Sequence, residues 1–233
     1  MRLLILAAVL PALLLIVYVY RKDGIEKEPT GLLVRLFLAG CLCCIPASVL
    51  ESIFLGIAEG FFMDTALAFI EAFLVVAVAE EGCKLIALRL ISWKNPAFNY
   101  TFDGIVYAVC VSLGFAALEN VMYLSSYGLN LAVPRGLLSV PGHAAFAVFM
   151  GVFYANAKRC AARGDAAAAS RSMRLAFVVP VLLHGFFDFC LMSGSGILGL
   201  VFFGFVIAVD IVTLRVIRRS SKADSPIDPP ALF

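Results

Sequence analysis

The stretch LVVAVAEEGCKLIALRLI, from Leu74 to Ile91, decides how this chain folds. It is almost entirely apolar, yet it carries Glu80, Glu81 and Lys84. About 20 apolar residues are enough for a helix to cross a membrane. An ionised side chain at the bilayer centre costs about 2.5–3.5 kcal/mol on insertion scales, so such groups usually serve a function. The stretch therefore predicts a transmembrane helix with a functional glutamate pair.

The composition of the whole chain is that of a membrane protein. Hydrophobic residues make up 63% of its 233 residues and charged residues 15%, against about 45–50% and about 25% in soluble domains. We therefore expect the lipid bilayer to cover most of the surface. The formal net charge of +2 gives no support to a nucleic-acid partner. Seven cysteines are scattered without a metal-type spacing, and we interpret them as small apolar packing residues.

Apolar runs of spanning length recur along the chain and predict an all-α polytopic membrane protein with about seven transmembrane helices. The predicted spans cover residues 2–20, 34–57, 65–91, 102–125, 137–157, 174–192 and 197–216. The first is interpreted as an anchor, because its core is long and lacks a small-x-small cleavage site. Pro134 and Pro141 predict that the fifth helix starts late or is kinked. We expect a transmembrane domain over residues 1–219 and a flexible cytoplasmic tail over residues 220–233.

Basic residues are distributed unequally between the two sides of this predicted bundle. With seven crossings, the first, third and fifth loops and the C-terminal segment hold most of the Lys and Arg residues on one side. The other side holds only Arg2 and Arg135. Because cytoplasmic loops carry the excess of positive charge, the pattern predicts an N-out, C-in topology.

Five ionisable side chains share a depth in the predicted bundle. They are Glu80, Glu119, His143, His184 and Asp188. At the helical rise per residue, their heights differ by about 10 Å or less along the membrane normal. Both histidines of the chain belong to this set, and His184 and Asp188 lie on one helix face at i,i+4. These groups are therefore expected to converge on one site.

Lys84 follows Glu80 by four residues and Glu81 by three, so all three side chains can meet on one face. We expect Lys84 to neutralise one glutamate and leave the other free. A free carboxylate with two imidazoles can activate water by general-base action or by binding a metal ion. The spacing does not match the HExxH zinc motif, so both routes stay open.

Structural interpretations compete with these functional ones. The Glu80–Lys84 pair could be a structural ion pair, and Glu119 with Asn120 could join helices by hydrogen bonds. Either histidine could be a satisfied core residue. Asp103 stands at a predicted helix start and is interpreted as a cap. Small residues recur every fourth position in the same helix and predict close helix packing; they are Gly104, Ala108, Ser112 and Ala116.

Four stretches make the sequence resemble the PrsW family of intramembrane proteases, which is related to the CAAX-processing and bacteriocin-processing protease group. They are EEGCK (80–84), FDGIVYAVCVSLGFAALENVMYL (102–124), PGHAAFAVFMGVFYANAK (141–158) and HGFFDF (184–189). The resemblance implies a multi-pass protease of the bacterial cell membrane that cuts a membrane-anchored protein. The namesake role of the family is the first-site cleavage of an anti-sigma factor, in a stress response.

The resemblance also implies roles for individual residues. The matching positions are the glutamate pair Glu80 and Glu81, the EN pair Glu119 and Asn120, His143 after the Pro-Gly turn, and the HxxxD pair His184 and Asp188. In the related group, one glutamate and one histidine are thought to activate water while the later residues polarise the carbonyl. Asp188 stands where many relatives of that group carry Asn, and an anionic Asp would orient His184 or bind metal instead.

We therefore predict an intramembrane endopeptidase. Glu80 is the candidate base and Glu81 the partner of Lys84, with the two roles interchangeable at this stage. His143 would assist at the water. His184 and Asp188 would stabilise the tetrahedral intermediate or complete a metal shell.

Zn²⁺ is the candidate cofactor, and its candidate ligands are Glu81, His143 and His184; a glutamate-dependent mechanism without metal is the alternative. Two other classes of protein compete with a protease. A proton-coupled transporter also uses buried Glu, His and Asp, although the chain lacks repeated halves. A non-catalytic scaffold could bind a partner's transmembrane helix, although it would need neither histidine.

Overall fold

The computed structural model describes residues 2–227, which form seven long helical segments. They are α1 (Arg2–Lys22), α2 (Thr30–Ala58), α3 (Asp64–Ile70, Glu71–Val76 and Ala77–Ser92 in succession), α4 (Asp103–Tyr127), α5 (Leu129–Ala162), α6 (Ala166–Met192) and α7 (Gly196–Lys222). Among these residues there is no β-strand, only one isolated bridge between Tyr100 and Pro226. The prediction of an all-α protein is confirmed.

Six of the seven segments are long and apolar enough to cross a membrane, namely all except α3. The α3 segment is the one that carries Glu80, Glu81 and Lys84. Six of the seven predicted spans lie within one helical segment each. The remaining span, residues 102–125, starts one residue before α4. The polytopic architecture is therefore confirmed, while the N-out, C-in orientation stays a prediction.

Helix α4 forms the centre of the bundle. Every residue from Asp103 to Ala117 is buried, and α1, α2, α3 and α5 all pack around it. A helix that is apolar all round is typical of such a central position. Its outer half carries Glu119 and Asn120, so the central helix also brings polar groups towards the site.

Close helix crossings depend on glycines in α4. A Cβ atom on Gly114 would lie 2.0 Å from the carbonyl oxygen of Phe37 in α2. A Cβ atom on Gly104 would lie 2.8 Å from the carbonyl oxygen of Gly151 in α5. Only glycine permits such approaches of two backbones. The predicted role of the small residues in helix packing is confirmed at Gly104, which packs against α5. Gly114, which was not among the predicted residues, permits a similar close approach to α2.

Two π-helical stretches precede the site residues. Glu71–Val76 lies within α3, and Arg135–Ser139 lies within α5. The first eleven residues of α5 alternate between 3₁₀, α and π geometry before a regular helix starts at Val140. The prediction that the fifth helix starts late is wrong, since α5 begins at Leu129, eight residues before the predicted start at residue 137, whereas the π-helical stretch Arg135–Ser139 agrees with the alternative of a local distortion. Such π-bulges are frequent at functional sites, because they turn the side chains that follow them.

The prediction that Asp103 caps a helix is wrong. Its Oδ2 accepts hydrogen bonds from the main-chain N–H groups of Asn99 (3.1 Å) and Tyr100 (2.7 Å), which precede the helix. A cap would accept from the first turn of the helix itself. Asp103 therefore closes the preceding loop onto α4 and is one of three buried acids in that region.

The described residues after α7 pack against the same loop. Helix α7 continues to Lys222, the amide of Ile227 donates to the carbonyl oxygen of Asn99 (2.8 Å), and Ile227 is buried. Asp224 Oδ1 accepts a hydrogen bond from the amide of Phe102 (2.8 Å). The division into a domain over residues 1–219 and a flexible tail over residues 220–233 stays a prediction. Residues 228–233 of that tail lie outside the described residues.

Candidate active site

Helix α3 places its three charged side chains on the face that points into the bundle. Lys84 Nζ lies 2.8 Å from Glu80 Oε2 and 2.8 Å from Glu81 Oε1. Lys84 and Glu81 are fully buried, and Glu80 is 4% exposed. The expectation that Lys84 neutralises one glutamate and leaves the other free is therefore wrong. One ammonium group lies between both carboxylates.

Helix α6 brings His184 and Asp188 against this pair. His184 Nδ1 lies 2.9 Å from Glu81 Oε1, and His184 Nε2 lies 3.2 Å from Asp188 Oδ2. Gly185 permits the approach of α6, because a Cβ atom there would lie 2.4 Å from the ring of Phe73 in α3. Each nitrogen of the imidazole thus faces a carboxylate, one on α3 and one on its own helix.

Helix α5 contributes His143 from the first turn after its π-helical stretch. Nδ1 of His143 lies 3.2 Å from Lys84 Nζ, and Nε2 lies 3.0 Å from Glu119 Oε2. Since an ammonium group only donates, Nδ1 accepts and Nε2–H donates to Glu119. Ser112 Oγ of α4 donates to the carbonyl oxygen of His143 (3.0 Å). Contacts on both ring nitrogens and on the backbone therefore hold this histidine in place.

Arg135 is a site residue that the sequence analysis placed on the outer side of the membrane. Its guanidinium lies 3.0 Å from Glu119 Oε2, and its Nε donates to Asn120 Oδ1 (2.6 Å). It also lies 4.0 Å from the centre of the Tyr123 ring. The signal in the sequence that could have identified Arg135 as a site residue is its position as a single arginine in the apolar stretch after Glu119 and Asn120. Arg135 balances the charge of Glu119, which in turn contacts His143.

Aromatic rings surround the charged groups. The Lys84 ammonium lies 4.2 Å from the centre of the Phe115 ring, and Phe146 stacks on His184 with ring centres 5.1 Å apart. The two imidazoles lie nearly perpendicular, with centres 5.4 Å apart. Rings of this kind exclude water and strengthen the interactions between the enclosed charges. The predicted convergence of the polar groups is thus a feature of the structure.

A cavity of about 680 Å³ opens beside these residues. Its wall includes the five side chains that were predicted to share a depth, namely Glu80, Glu119, His143, His184 and Asp188. It also includes Glu51 of α2 and Glu71 of α3, which the sequence places nearer the outer ends of their spans. Glu81 and Lys84 are not part of the wall. Glu80 is therefore the member of the glutamate pair that faces the cavity.

The residues that could hold a metal ion differ from the predicted set. Glu80, Glu81 and His184 each offer a ligand atom, and these atoms lie within 4.8 Å of one another. His143 does not belong to this group; its two nitrogens contact Lys84 and Glu119 instead. Glu81 Oε2 is buried without a hydrogen-bond partner among residues 2–227. Two carboxylates, one of them with an unpartnered buried oxygen, and one imidazole fit the ligand chemistry of Zn²⁺.

The site and the fold together define a class of protein. Carboxylates and imidazoles from five helices line an internal cavity in a bundle of membrane-spanning length, and this combination is typical of a multi-pass membrane enzyme. The comparisons with known proteins specify which one. The model of the PrsW family of intramembrane metalloproteases matches residues 28–214. The chain belongs to this family, and it is an intramembrane protease, as the four sequence stretches predicted.

Relatives match along most of the chain. A protein named Protease PrsW from Oceanobacillus iheyensis is 33% identical over 216 residues, which are 93% of this chain and 95% of the relative. The Protease PrsW of Halalkalibacterium halodurans is 34% identical over 95% of this chain and 98% of the relative. That of Bacillus subtilis is 34% identical over 82% of this chain and 84% of the relative. No solved structure matches the chain. These relatives are bacterial, and the chain is a multi-pass membrane protein.

Proposed function

We propose that the chain hydrolyses a peptide bond of a membrane-anchored protein, with Glu80 as the base that activates water. One observation carries this proposal: Glu80 borders the cavity while Glu81 is sealed behind it. A general base must reach the water whose proton it takes. Glu80 has that access, and Glu81 does not.

The proposed reaction begins with a water molecule in the cavity. Glu80 takes one of its protons as the oxygen adds to the carbonyl carbon of the scissile bond. The proton then passes to the amide nitrogen, the C–N bond breaks, and a carboxylic acid and an amine leave. Lys84 keeps the Glu80 carboxylate in place through the 2.8 Å ion pair and holds Glu81 in the same way.

We assign the other side chains according to their contacts. His184 borders the cavity and is oriented by Glu81 and Asp188, so it can donate a hydrogen bond to the oxyanion of the tetrahedral intermediate. His143 is a positioning residue in this proposal, because its nitrogens contact Lys84 and Glu119. This differs from the expectation that His143 assists at the water.

The proposal accommodates a metal ion. Glu81, His184 and one oxygen of Glu80 would hold Zn²⁺, leaving the second Glu80 oxygen to act as the base, and Asp188 would keep the imidazole oriented, as carboxylates do for metal-bound histidines. When bound, Zn²⁺ would lower the pKa of a coordinated water and polarise a carbonyl group.

The cavity also supports a proposal about the substrate. Its volume of about 680 Å³ lies in the range of sites that bury a ligand of modest size, about 300–1,000 Å³. Its wall combines the acidic groups with apolar residues such as Leu55, Val75 and Leu131. A short extended segment next to a substrate's transmembrane helix would fit. A membrane-anchored anti-sigma factor is the substrate that the family resemblance implies.

The test compares membrane peptides from cells that produce the wild-type chain, Glu80→Gln or Glu59→Gln. Glu59 is an exposed carboxylate between α2 and α3 and serves as the matched control. Mass spectrometry should detect cleavage fragments of a membrane-anchored protein with the wild type and with Glu59→Gln. The same fragments should be absent with Glu80→Gln. An identical set of fragments in all three samples would overturn the proposal.

A further inference from the structure

A second group of acidic side chains lies where α1 ends and α4 begins. Asp23 follows α1, Glu28 precedes α2, and Asp103 is the first residue of α4. Their exposed fractions are only 2%, 3% and 1%. Each offers a carboxylate oxygen within 4.8 Å of one from each of the other two. Three buried acids from three parts of the chain therefore converge on one point.

Neutral hydrogen-bond donors satisfy part of this cluster. Asp103 Oδ2 accepts from the amides of Asn99 and Tyr100, at 3.1 and 2.7 Å. Glu28 Oε2 accepts from the hydroxyl group of Tyr107. Such donors stabilise a carboxylate but do not cancel its charge. The mutual repulsion of buried carboxylates still requires a proton or a cation nearby.

Asp23 is the least satisfied member of the cluster. Its Oδ2 is buried and has no hydrogen-bond partner among residues 2–227. Burial raises the pKa of Asp23 to about 6, and burial also raises that of Glu28. Lys27 lies beside the cluster, but its ammonium group donates to the main-chain oxygens of Tyr20 (2.8 Å) and Asp23. The carboxylate of Asp23 therefore lies close to those of Glu28 and Asp103, and its Oδ2 remains without a hydrogen-bond partner among residues 2–227.

We propose that Asp23, Glu28 and Asp103 bind a hard divalent cation of the Mg²⁺ class. The donor atoms are all carboxylate oxygens, which suit Mg²⁺, Ca²⁺ and Mn²⁺, whereas zinc and copper sites usually include imidazole or thiolate ligands. Bound Mg²⁺ usually keeps several waters, so three carboxylates suffice for a site of this kind. The site differs in chemistry from the group of Glu80, Glu81 and His184, which includes an imidazole.

The cation would join three parts of the chain that meet at this end of the bundle. Asp23 and Glu28 bound the link between α1 and α2, and Asp103 begins the central helix. The far part of that helix carries Glu119, which contacts His143. The cation would therefore fix one end of the helix that positions the active site.

The test uses Mn²⁺ as the probe, on the purified full-length protein in detergent after treatment with a chelator. Electron paramagnetic resonance counts the bound Mn²⁺, and added Mg²⁺ should displace it. Asp23→Asn and Glu28→Gln should each weaken the affinity of this site for Mn²⁺ by about tenfold to a hundredfold. Removing an outer partner of a metal ligand causes a loss of this size, so removing a ligand should cost at least as much. Glu81→Gln should still bind Mn²⁺ at the site of Asp23, Glu28 and Asp103, since Glu81 belongs to the active site. Glu26→Gln, an exposed carboxylate of the same link, is the matched control.

Two results would overturn the inference. One is a wild-type protein that binds no Mn²⁺ at millimolar concentration, as expected if the three carboxylates share protons instead. The other is equal binding by the wild type, Asp23→Asn and Glu28→Gln. Circular dichroism shows whether each variant is folded, and either of the two variants alone decides the matter. Because no step of the test measures proteolysis, the result is independent of the proposed function.

Discussion

The ammonium group of Lys84 lies 3.2 Å from Nδ1 of His143. The two residues are 59 positions apart and come from different helices, so this contact joins α3 to α5 inside the bundle. It also sets the tautomer, because a nitrogen that accepts from Lys84 leaves the proton on Nε2, where Glu119 accepts it. Lys84 therefore contacts His143 as well as Glu80 and Glu81, and so links the glutamate pair to this histidine.

Replacing Lys84 with Met should strongly destabilise the protein. The methionine fills similar space but leaves the Glu80 and Glu81 carboxylates buried without their shared cation. Loss of one partner of a buried ion pair costs about 3–5 kcal/mol. Chemical unfolding in detergent, followed by circular dichroism, measures the change in the free energy of unfolding. Lys94→Met is the control, since Lys94 is exposed and its replacement should change that energy by about 0.5 kcal/mol or less. Equal stability of the two variants would contradict the shared role of Lys84.

Replacing Glu119 with Gln should lower the rate of proteolysis without abolishing it. The carboxylate receives the Nε2 proton of His143 and the ion pair of Arg135, and it positions them rather than touching the scissile bond. We expect kcat to fall by about tenfold to a hundredfold, a loss of the size seen when a group that orients an active-site histidine is removed, with KM little changed. The assay is cleavage of a purified substrate in proteoliposomes.

The matched control for Glu119 is Glu71→Gln. Glu71 borders the same cavity but takes no part in the contacts of His143, Lys84 or Arg135. Its variant should keep kcat within about twofold of the wild type, since it leaves these contacts intact. If Glu71→Gln and Glu119→Gln reduced kcat equally, the charge of the cavity rather than the His143 contact would explain the loss.

The two histidines should differ in their effect on metal content. His184 lies with Glu80 and Glu81 in one group of ligand atoms, whereas His143 lies outside that group and contacts Lys84 and Glu119. Elemental analysis of purified protein should therefore find zinc in the wild type and in His143→Gln, and little in His184→Gln. Chelation should remove the zinc and the activity together. Zinc lost from His143→Gln but kept by His184→Gln would mean that the ligand set is wrong.

Much of the architecture could be predicted from the sequence because hydrophobic length is a strong signal in membrane proteins. Each apolar run became one helix, and the prolines before His143 marked the irregular start of α5. The five polar groups at one depth also came together around one cavity. Depth along a helix follows from counting residues, and therefore needs no knowledge of which helices touch.

The sequence could not predict how the charges pair across helices. Spacing within α3 allowed Lys84 to reach either glutamate, but only the packing of α5 against α3 shows that it also reaches His143. Arg135 was assigned to the outer side because the fifth span was started after it, although α5 begins earlier. Asp103 was predicted to be a cap because it stands at the start of a helix, whereas the amides that donate to it, those of Asn99 and Tyr100, lie in the loop before that helix. The contacts of Lys84 and Asp103 depend on how elements pack against one another, and the contacts of Arg135 depend on where a helix begins; periodicity encodes neither.

Replacing Gly114 with Ala should test the close crossing of α2 and α4 that supports the whole site. The added methyl group would lie 2.0 Å from the carbonyl oxygen of Phe37, so one backbone must move. Overpacking of this kind costs about 1–3 kcal/mol, and we expect the upper end because backbone rather than a side chain is displaced. Gly199→Ala in α7 is the matched control, since a Cβ atom there meets nothing within 4 Å. That control should stabilise the protein by up to about 1 kcal/mol, the difference in helix propensity. Thermal unfolding in detergent measures both variants, and a Gly114→Ala protein as stable as Gly199→Ala would show that the two helices do not approach so closely.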